Sequence, residues 1–134
     1  MFVDIPETGR HLEVPNIRVI IAGSRYGIWP FAVKLAINES EFKIDEVVSG
    51  TAIGVDQLGE QWAKEHGVPV ARFPANWDSF GKGAGYIRNK QMADYADALI
   101  AIWDGKSRGT EHMIKTMEAL GKPVYVYKTS QREE

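Results

Sequence analysis

The stretch VIIAGSR, residues 19–25, runs from β-branched apolar residues into Gly23, Ser24 and Arg25. An apolar run of this kind is typical of a strand buried inside a sheet. A glycine, a hydroxyl and a guanidinium are unsuited to a core, whereas ligands of open parallel sheets bind beyond the carboxyl ends of the strands. The stretch therefore predicts a buried first strand over 17–22 that ends at a polar site.

The rest of the chain alternates apolar runs with helical patterns. Further strands are predicted at 46–49, 68–73, 98–103 and 123–127, with helices at 29–38, 55–66, 86–95 and 110–120 and a loop at 74–85. Helices of about ten residues between strands are typical of βαβ units, whose crossovers are right-handed. We expect an α/β domain, built as a three-layer α/β/α sandwich around a mainly parallel five-stranded sheet.

The length of 134 residues suits a single domain. Residues 1–16 are polar and contain two prolines, so this segment is interpreted as an N-terminal arm. The domain itself is expected to span 17–127. The remaining residues, 128–134, are expected to form a polar tail that frays.

Composition narrows the class of protein. The chain has no cysteine, which excludes disulfides and thiolate metal sites and is compatible with a reducing compartment. Its first ten residues include Asp4 and Glu7 and no long apolar block, unlike a signal peptide. No stretch reaches the roughly 18 apolar residues of a membrane span. We therefore expect a cytoplasmic protein without a membrane partner.

Turns rich in glycine, hydroxyl and basic side chains follow each of the first four strands. Glycine leaves backbone N–H groups accessible, helix N-termini carry unpaired N–H donors, and arginine can fork onto phosphate. The net charge of −2 means that any phosphate site must be local. The residues expected to contact such a ligand are Gly23, Ser24, Arg25, Ser49, Gly50, Thr51, Asp56, Trp77, Arg88, Asn89, Asp104, Ser107, Arg108, Gly109 and Thr110.

Several of these residues have a second interpretation. Turns between strands and helices favour Gly, Ser and Thr even without a ligand. Arg25 could bind phosphate or pair with a surface carboxylate. Asp56 could contact a ribose hydroxyl or merely stabilise the positive end of a helix. Trp77 lies in the longest loop and could stack on a base.

Two common nucleotide-binding motifs do not occur. The GKS sequence at 105–107 ends like a P-loop, but Ile100 stands where that motif requires its first glycine. Gly23 and Gly27 lack the spacing of the G-x-G-x-x-G fingerprint of dinucleotide sites. The three histidines lack metal-ligand spacing. We therefore expect neither a metal nor a resident cofactor.

Four segments together resemble a known superfamily. They are IAGSR at 21–25, VVSGTAIGVDQLGEQWAKEHGVPVARFPANW at 47–77, GKGAGYIRNKQMADYADALIAIWDGKSRGTEHMI at 81–114 and GKPVYV at 121–126. In this order they resemble the Rossmann-like SLOG superfamily, most of all its YspA/cpYpsA-related branch of phages and bacteria. The resemblance covers 17–127. It implies a Rossmann-like fold that binds a nucleotide or nucleotide-derived small molecule as a sensor or sequestering module.

The resemblance also raises the alternative of an enzyme. LOG-type hydrolases of this superfamily use an arginine and a glutamate, in R-K-x-x-M and G-G-x-G-T-x-x-E segments, to cleave N-glycosidic bonds. Arg88 matches that arginine, whereas Met113 occupies the glutamate position. Such cleavage requires a carboxylate near the anomeric carbon, which Asp56, Asp104 or Glu111 would have to supply. Catalysis is therefore left open, with Arg88, Asp56 and Glu111 as candidates.

A second alternative comes from the DprA-like branch, which binds single-stranded DNA and in which GSR, SG-x-x-x-G-x-D and RN recur. A single-strand binder typically carries a basic track with stacking aromatic residues. This chain is net acidic and its basic residues are dispersed, so a nucleic-acid partner is not expected. The resemblance further implies a homo-oligomer of unspecified copy number.

Overall fold

The computed structural model describes residues 2–5, 10–13 and 17–129. Its strands are β1 (Phe2–Ile5), β2 (Arg10–Glu13), β3 (Ile17–Gly23), β4 (Ile44–Ser49), β5 (Val70–Arg72), β6 (Ala98–Trp103) and β7 (Val124–Lys128). Its α-helices are α1 (Pro30–Ser40), α2 (Val55–Glu65), α3 (Trp77–Phe80), α4 (Ala84–Tyr95) and α5 (Arg108–Ala119), and a 3-10 helix spans Gly81–Gly83.

The main sheet has five parallel strands in the order β5-β4-β3-β6-β7. The predicted α/β fold with a five-stranded parallel sheet is thus confirmed. After β3 the chain builds outward on one side through β4 and β5, and it then crosses to add β6 and β7 on the other. The strand order therefore reverses between β3 and β6, and the crevice beyond their carboxyl ends is where sheets of this kind bind ligands.

Two apolar layers enclose the sheet. Alternate side chains of β3 point to opposite faces: Val19 and Ile21 join the core shared with α1 and α2, whereas Ile20 and Ala22 join the core next to α4 and α5. Val19, Ile20 and Ile21 have no exposed surface. This burial on both faces explains why the strand reads as a continuous apolar run.

The predicted loop at 74–85 contains structure that the sequence pattern did not indicate. Asn76 is the N-cap of α3: its side-chain Oδ1 accepts a hydrogen bond of 3.1 Å from the N–H of Ser79. The 3-10 helix follows, and α4 begins at Ala84 rather than at the expected Tyr86. Two short helical segments, separated by a turn at Gly81 with φ +55°, therefore lead into the helix that carries Arg88.

The chain ends differ in part from expectation. Within the predicted arm 1–16, β1 and β2 form a separate antiparallel two-stranded sheet, in which Phe2 pairs with Glu13. Of the predicted tail 128–134, Lys128 belongs to β7, and 130–134 lie outside the described residues. The longest described helices, α4 and α5, have 12 residues, and none in the described part is long and apolar enough to cross a membrane.

Candidate functional site

The turn after β3 is fixed by contacts to β6 and α2. The N–H of Ser24 donates to the carbonyl of Ile102 at 3.1 Å, and the N–H of Val55 donates to the carbonyl of Ser24 at 3.2 Å. Gly54 has φ +84°, and a Cβ there would lie 2.5 Å from the backbone of Arg25. Only glycine allows this approach, so the first turn of α2 lies directly against the Ser24–Arg25 turn.

Asp56, in the first turn of α2, is a buried carboxyl group. Asp56 as a whole is 6% exposed, and its Oδ2 accepts a hydrogen bond of 3.1 Å from the N–H of Ala52. Burial raises the pKa of Asp56 to about 6, because a poorly solvated carboxylate is disfavoured. The Ala52 hydrogen bond and the charges of Arg88 and Arg25 oppose this rise, and the charge of Glu60 adds to it.

Arg88, on α4, faces Asp56 across Gly50. Its Nη1 donates to the carbonyl oxygen of Gly50, and its Nε donates to Oδ1 of Asn89 at 3.0 Å. A Cβ on Gly50 would lie 2.7 Å from Nη1 of Arg88 and 2.8 Å from Oδ2 of Asp56. Burial lowers the pKa of Arg88, with the Asp56 charge acting in the opposite direction. The guanidinium nonetheless stays protonated, as arginine does in proteins.

Asn89 connects α4 to α5. Its Nδ2 donates to the carbonyl of Gly109 at 3.2 Å and also lies 3.2 Å from Nδ1 of His112. The His112 ring stacks on Tyr86 with ring centroids 4.2 Å apart, and burial lowers the pKa of His112. Neutral His112 can accept a hydrogen bond at Nδ1, so Asn89 holds Arg88 and the start of α5 in a fixed relationship.

The start of α5 presents a polar helix N-terminus. Oδ1 of Asp104 accepts from the N–H groups of Lys106 and Ser107, both at 2.8 Å, which closes the turn before the helix. The hydroxyls of Ser107 and Thr110 lie 3.1 Å apart. A Cβ on Gly109 would meet nothing within 4 Å. The first N–H groups of a helix lack intrahelical acceptors, so this end is open to an anion.

These elements converge on one cleft at the reversal point between β3 and β6. The cleft encloses about 470 Å³, counting the space at its open mouth. It is lined by Ala22, Gly23, Arg25, Ala52, Asp56, Arg88, Asn89, Met92, Ser107, Gly109, Thr110 and Met113. Eight of the residues that the sequence predicts at the ligand site therefore meet in this cleft. They are Gly23, Arg25, Asp56, Arg88, Asn89, Ser107, Gly109 and Thr110.

Other expected residues support the cleft without lining it. Ser24 is buried, and its hydroxyl accepts from the N–H of Asp104 at 3.2 Å. The hydroxyl of Ser49 accepts from the N–H of Thr51 at 3.0 Å and donates to Glu60. Since the Ser49 side chain is thus fully engaged and has no exposed surface, it shapes the loop around Gly50.

Four expected residues lie elsewhere. The exposed side chain of Arg108 is not among the residues that line the cleft, although α5 begins at this residue. Trp77 is 53% exposed and lines a shallow neighbouring groove. Glu111 pairs with Lys115 at 3.2 Å on the outer face of α5. Asp104 uses its carboxylate within its own turn, which lowers the pKa of Asp104 despite partial burial. The structure therefore does not bring these side chains to the cleft.

The lining of the cleft also includes four apolar residues that the sequence did not lead us to expect, Ala22, Ala52, Met92 and Met113. The positions of the two methionines could have been predicted from the sequence, because residues three or four apart share one face of a helix. Met92 follows Arg88 by four and Met113 follows Thr110 by three.

Comparison with known proteins bears on this site. Residues 17–80 match the model of the YspA, cpYpsA-related SLOG family. The Gene 61 protein of Mycobacterium phage D29 is 33% identical over an alignment of 118 residues, and the match covers 80% of this chain and 93% of the phage protein. The chain belongs to this SLOG family. The matched residues include the turns that carry Arg25, Gly50 and Asp56, whereas the SLOG segment with Arg88 and α5 lies beyond them.

A solved structure shares the SLOG fold. The X-ray structure of DNA processing protein A (DprA) from Streptococcus pneumoniae superposes with a TM-score of 0.65 at 17% sequence identity. The superposition covers 83% of this chain and 50% of the DprA chain, so the present chain spans about half of that protein. At this identity the likeness establishes the architecture.

Proposed function

We propose that this SLOG protein binds a nucleotide or nucleotide-derived small molecule, with its phosphate in the cleft between β3 and β6. One observation carries the proposal. Arg25, Arg88 and the first turn of α5 are far apart in the chain and line the same cleft. Two guanidinium groups beside a helix N-terminus form a favourable environment for phosphate.

The local charge supports an anion even though the whole chain carries a net charge of −2. Asp56 is the sole carboxylate among the described residues that line the cleft, and it faces two arginines. The guanidinium of Arg88 is oriented by Gly50 and Asn89. Such preorganisation reduces the entropy lost when a ligand binds.

Exposed aromatic rings near the cleft support a nucleotide over a bare phosphate. A Cβ on Gly85 would lie 3.5 Å from the Trp77 ring and 3.9 Å from Nη2 of Arg88. The indole of Trp77 and the guanidinium of Arg88 therefore both border Gly85. Tyr86, which is 48% exposed, follows on the same helix. A base extending from the bound phosphate would find a ring to stack on at this rim.

The cleft favours a binding module over an N-glycosidase. Of the three candidate catalytic residues, Glu111 is paired with Lys115. Met113, which occupies the position of the LOG glutamate, contributes an apolar side chain to the cleft. Arg88 and Asp56 remain, but Asp56 lies in the first turn of α2, whereas the LOG glutamate position on α5 has no carboxylate in this chain.

Isothermal titration calorimetry with the four ribonucleoside 5′-monophosphates tests this proposal. We expect saturable binding of at least one, weakened about tenfold or more by Arg88→Ala, since charge-assisted hydrogen bonds are worth about 1.5–3 kcal/mol. Arg18→Ala, an arginine near the opposite end of β3 that pairs with Asp97, is the control. Failure of all four to bind, or equal losses in both variants, contradicts the proposal.

Two further measurements on the same samples separate the alternatives. Chromatography of the incubated nucleotides detects free base, and its release would make the protein a hydrolase instead. Titration with a single-stranded oligonucleotide examines a DNA role, which the DNA-processing neighbour supports. Oligonucleotide binding that is much tighter than mononucleotide binding and strongly salt-dependent would favour that role.

Self-association is part of the proposal. Tyr26, Trp29 and Phe31 are 75%, 72% and 63% exposed along one short segment. Exposed apolar clusters of this kind often mark protein contacts. Native mass spectrometry of the purified protein is expected to show more than one copy, and a strictly monomeric spectrum at micromolar concentration would contradict this expectation.

A further inference from the structure

Asp56 is buried with most of its hydrogen-bonding capacity unused. Its residue is 6% exposed and lines the cleft. A carboxylate offers about four acceptor positions, and the N–H of Ala52 is the donor that the described residues supply. Arg88 acts on Asp56 through its charge, while its hydrogen bonds to the described residues go to Gly50 and Asn89; its remaining N–H groups are left for the phosphate. Among the described residues no side-chain N or O atom is both fully buried and without a hydrogen-bond partner, so the free acceptor positions of Asp56 keep some exposed surface. A further donor can reach them there and replace part of the hydration that burial removes.

We propose that Asp56 accepts a hydrogen bond from a ribose hydroxyl of the bound ligand, so that the cleft discriminates against a nucleotide that lacks this hydroxyl, be it the 2′ or the 3′ one. This inference rests on the proposed function, since it requires a phosphorylated ligand in the same cleft. It assigns the arginines and the start of α5 to the phosphate and Asp56 to the sugar.

The chemistry of the cleft favours a hydroxyl as the missing donor. A second phosphate beside Asp56 would place two anions together, which raises the free energy of the complex. A metal ion would require further ligands, and no group of three or more His, Cys, Asp or Glu side chains suited to a metal occurs among the described residues. A hydroxyl donates without adding charge, and the ribose of a nucleotide carries two close to its 5′-phosphate.

The ionisation of Asp56 is consistent with this role. Burial raises the pKa of Asp56 to about 6, so the carboxyl group is ionised near neutral pH although water solvates it poorly. Arg88 and Arg25 face it as positive charges and Glu60 as a negative one. A hydroxyl donor would replace part of the lost solvation. A site built in this way discriminates strongly against an analogue that lacks the hydroxyl.

Calorimetry with AMP, 2′-deoxy-AMP and 3′-deoxy-AMP tests the inference. The titrations are made at about pH 7.5, where Asp56 is ionised. If the protein prefers another base, CMP, GMP or UMP and the corresponding deoxynucleotides replace this set. We expect the ribonucleotide to bind about tenfold or more tightly than at least one deoxy analogue. Equal affinities for all three would overturn the inference and leave the proposed function intact. Failure of every ribonucleotide to bind would overturn both.

The variant Asp56→Ala assigns the preference to this side chain. We expect the ratio of ribonucleotide to deoxynucleotide affinity to fall to near one in Asp56→Ala and to be unchanged in Asp94→Ala, an exposed aspartate on α4. Comparing ratios within each variant removes any general loss of affinity. A preference that persists in folded Asp56→Ala overturns the assignment. If Asp56→Ala does not fold, the comparison of ligands on the wild type still decides the inference.

Discussion

Arg88 donates a hydrogen bond to the carbonyl oxygen of Gly50, a residue 38 positions earlier in the chain. This contact joins α4 to the loop after β4, and both Arg88 and the buried carboxylate of Asp56 approach the space that a Cβ on Gly50 would fill. The backbone at Gly50 has no room for a side chain, because a Cβ would lie 2.7 Å from the arginine and 2.8 Å from Asp56. The positions of both charges therefore depend on a glycine.

The first prediction concerns this glycine. Gly50→Ala should displace Arg88 or Asp56, cost about 1–3 kcal/mol of stability through overpacking and weaken nucleotide binding about tenfold. Urea denaturation and calorimetry measure the two effects. Gly83→Ala is the matched control, since a Cβ there meets nothing within 4 Å, and it should leave affinity unchanged. If Gly50→Ala has wild-type stability and affinity, the close approach of Arg88 and Asp56 to Gly50 is not required for either property.

The second prediction separates charge from geometry at Arg88. Arg88→Lys keeps the positive charge but loses the planar fork that reaches Gly50 and Asn89 together. We expect it to bind nucleotide about as poorly as Arg88→Ala in calorimetry. Arg108→Lys should behave as the wild type because its side chain is exposed outside the cleft. Full binding by Arg88→Lys would reduce the role of Arg88 to that of a point charge.

The third prediction follows from the raised pKa of Asp56. The folded protein holds this proton with a pKa of about 6, against an ordinary value of 3.8. Stability is therefore lost as the pH rises from about 4 to about 6, and the penalty is complete above that range. The shift of about two units corresponds to about 3 kcal/mol.

Asp56→Asn removes this titration, while Arg25, Arg88 and Glu60 remain in both proteins. The unfolding free energy of Asp56→Asn relative to the wild type should therefore increase by up to about 3 kcal/mol between about pH 4 and pH 7. Urea denaturation across this range measures it. A constant or decreasing difference would mean that burial does not raise the pKa of Asp56.

The fourth prediction concerns Asn89, whose side chain contacts Arg88, Gly109 and His112. Asn89→Ala should destabilise the protein by about 2–3 kcal/mol, because it leaves buried partners unsatisfied, and it should also weaken nucleotide binding. Asn38→Ala, at an exposed position of α1, should change stability by less than about 0.5 kcal/mol. A wild-type affinity in Asn89→Ala would contradict the role assigned to this link.

The sequence predicts the architecture well because burial on both faces gives each central strand a long apolar run, as at 19–22. It also predicts the convergence of Arg25, Arg88 and Thr110, since all follow strands of one parallel sheet. Which side chains enter the cleft is harder to predict. Two cases could have been foreseen: Glu111 and Lys115 have the spacing of a helical ion pair, and Asp104 starts a turn.

The remaining differences depend on tertiary contacts. The hydroxyl of Ser49 is not available to a ligand because it donates a hydrogen bond to Glu60 on α2. The rotation of α2 about its axis, which brings Glu60 to Ser49, does not follow from any local sequence pattern. Trp77 lies beside the cleft instead of inside it because Asn76 begins a short helix in the predicted loop. The burial of Asp56 likewise arises from the packing of α2 against the turn after β3.

The most direct test of the central claim is a two-dimensional ¹⁵N–¹H NMR titration of the protein with AMP, or with whichever ribonucleotide binds. If the cleft holds the ligand, the largest amide shifts fall at 23–25, 50–52 and 107–110, three segments that meet at the cleft. Shifts confined to the exposed segment 26–31, or spread without these three segments, would contradict this claim.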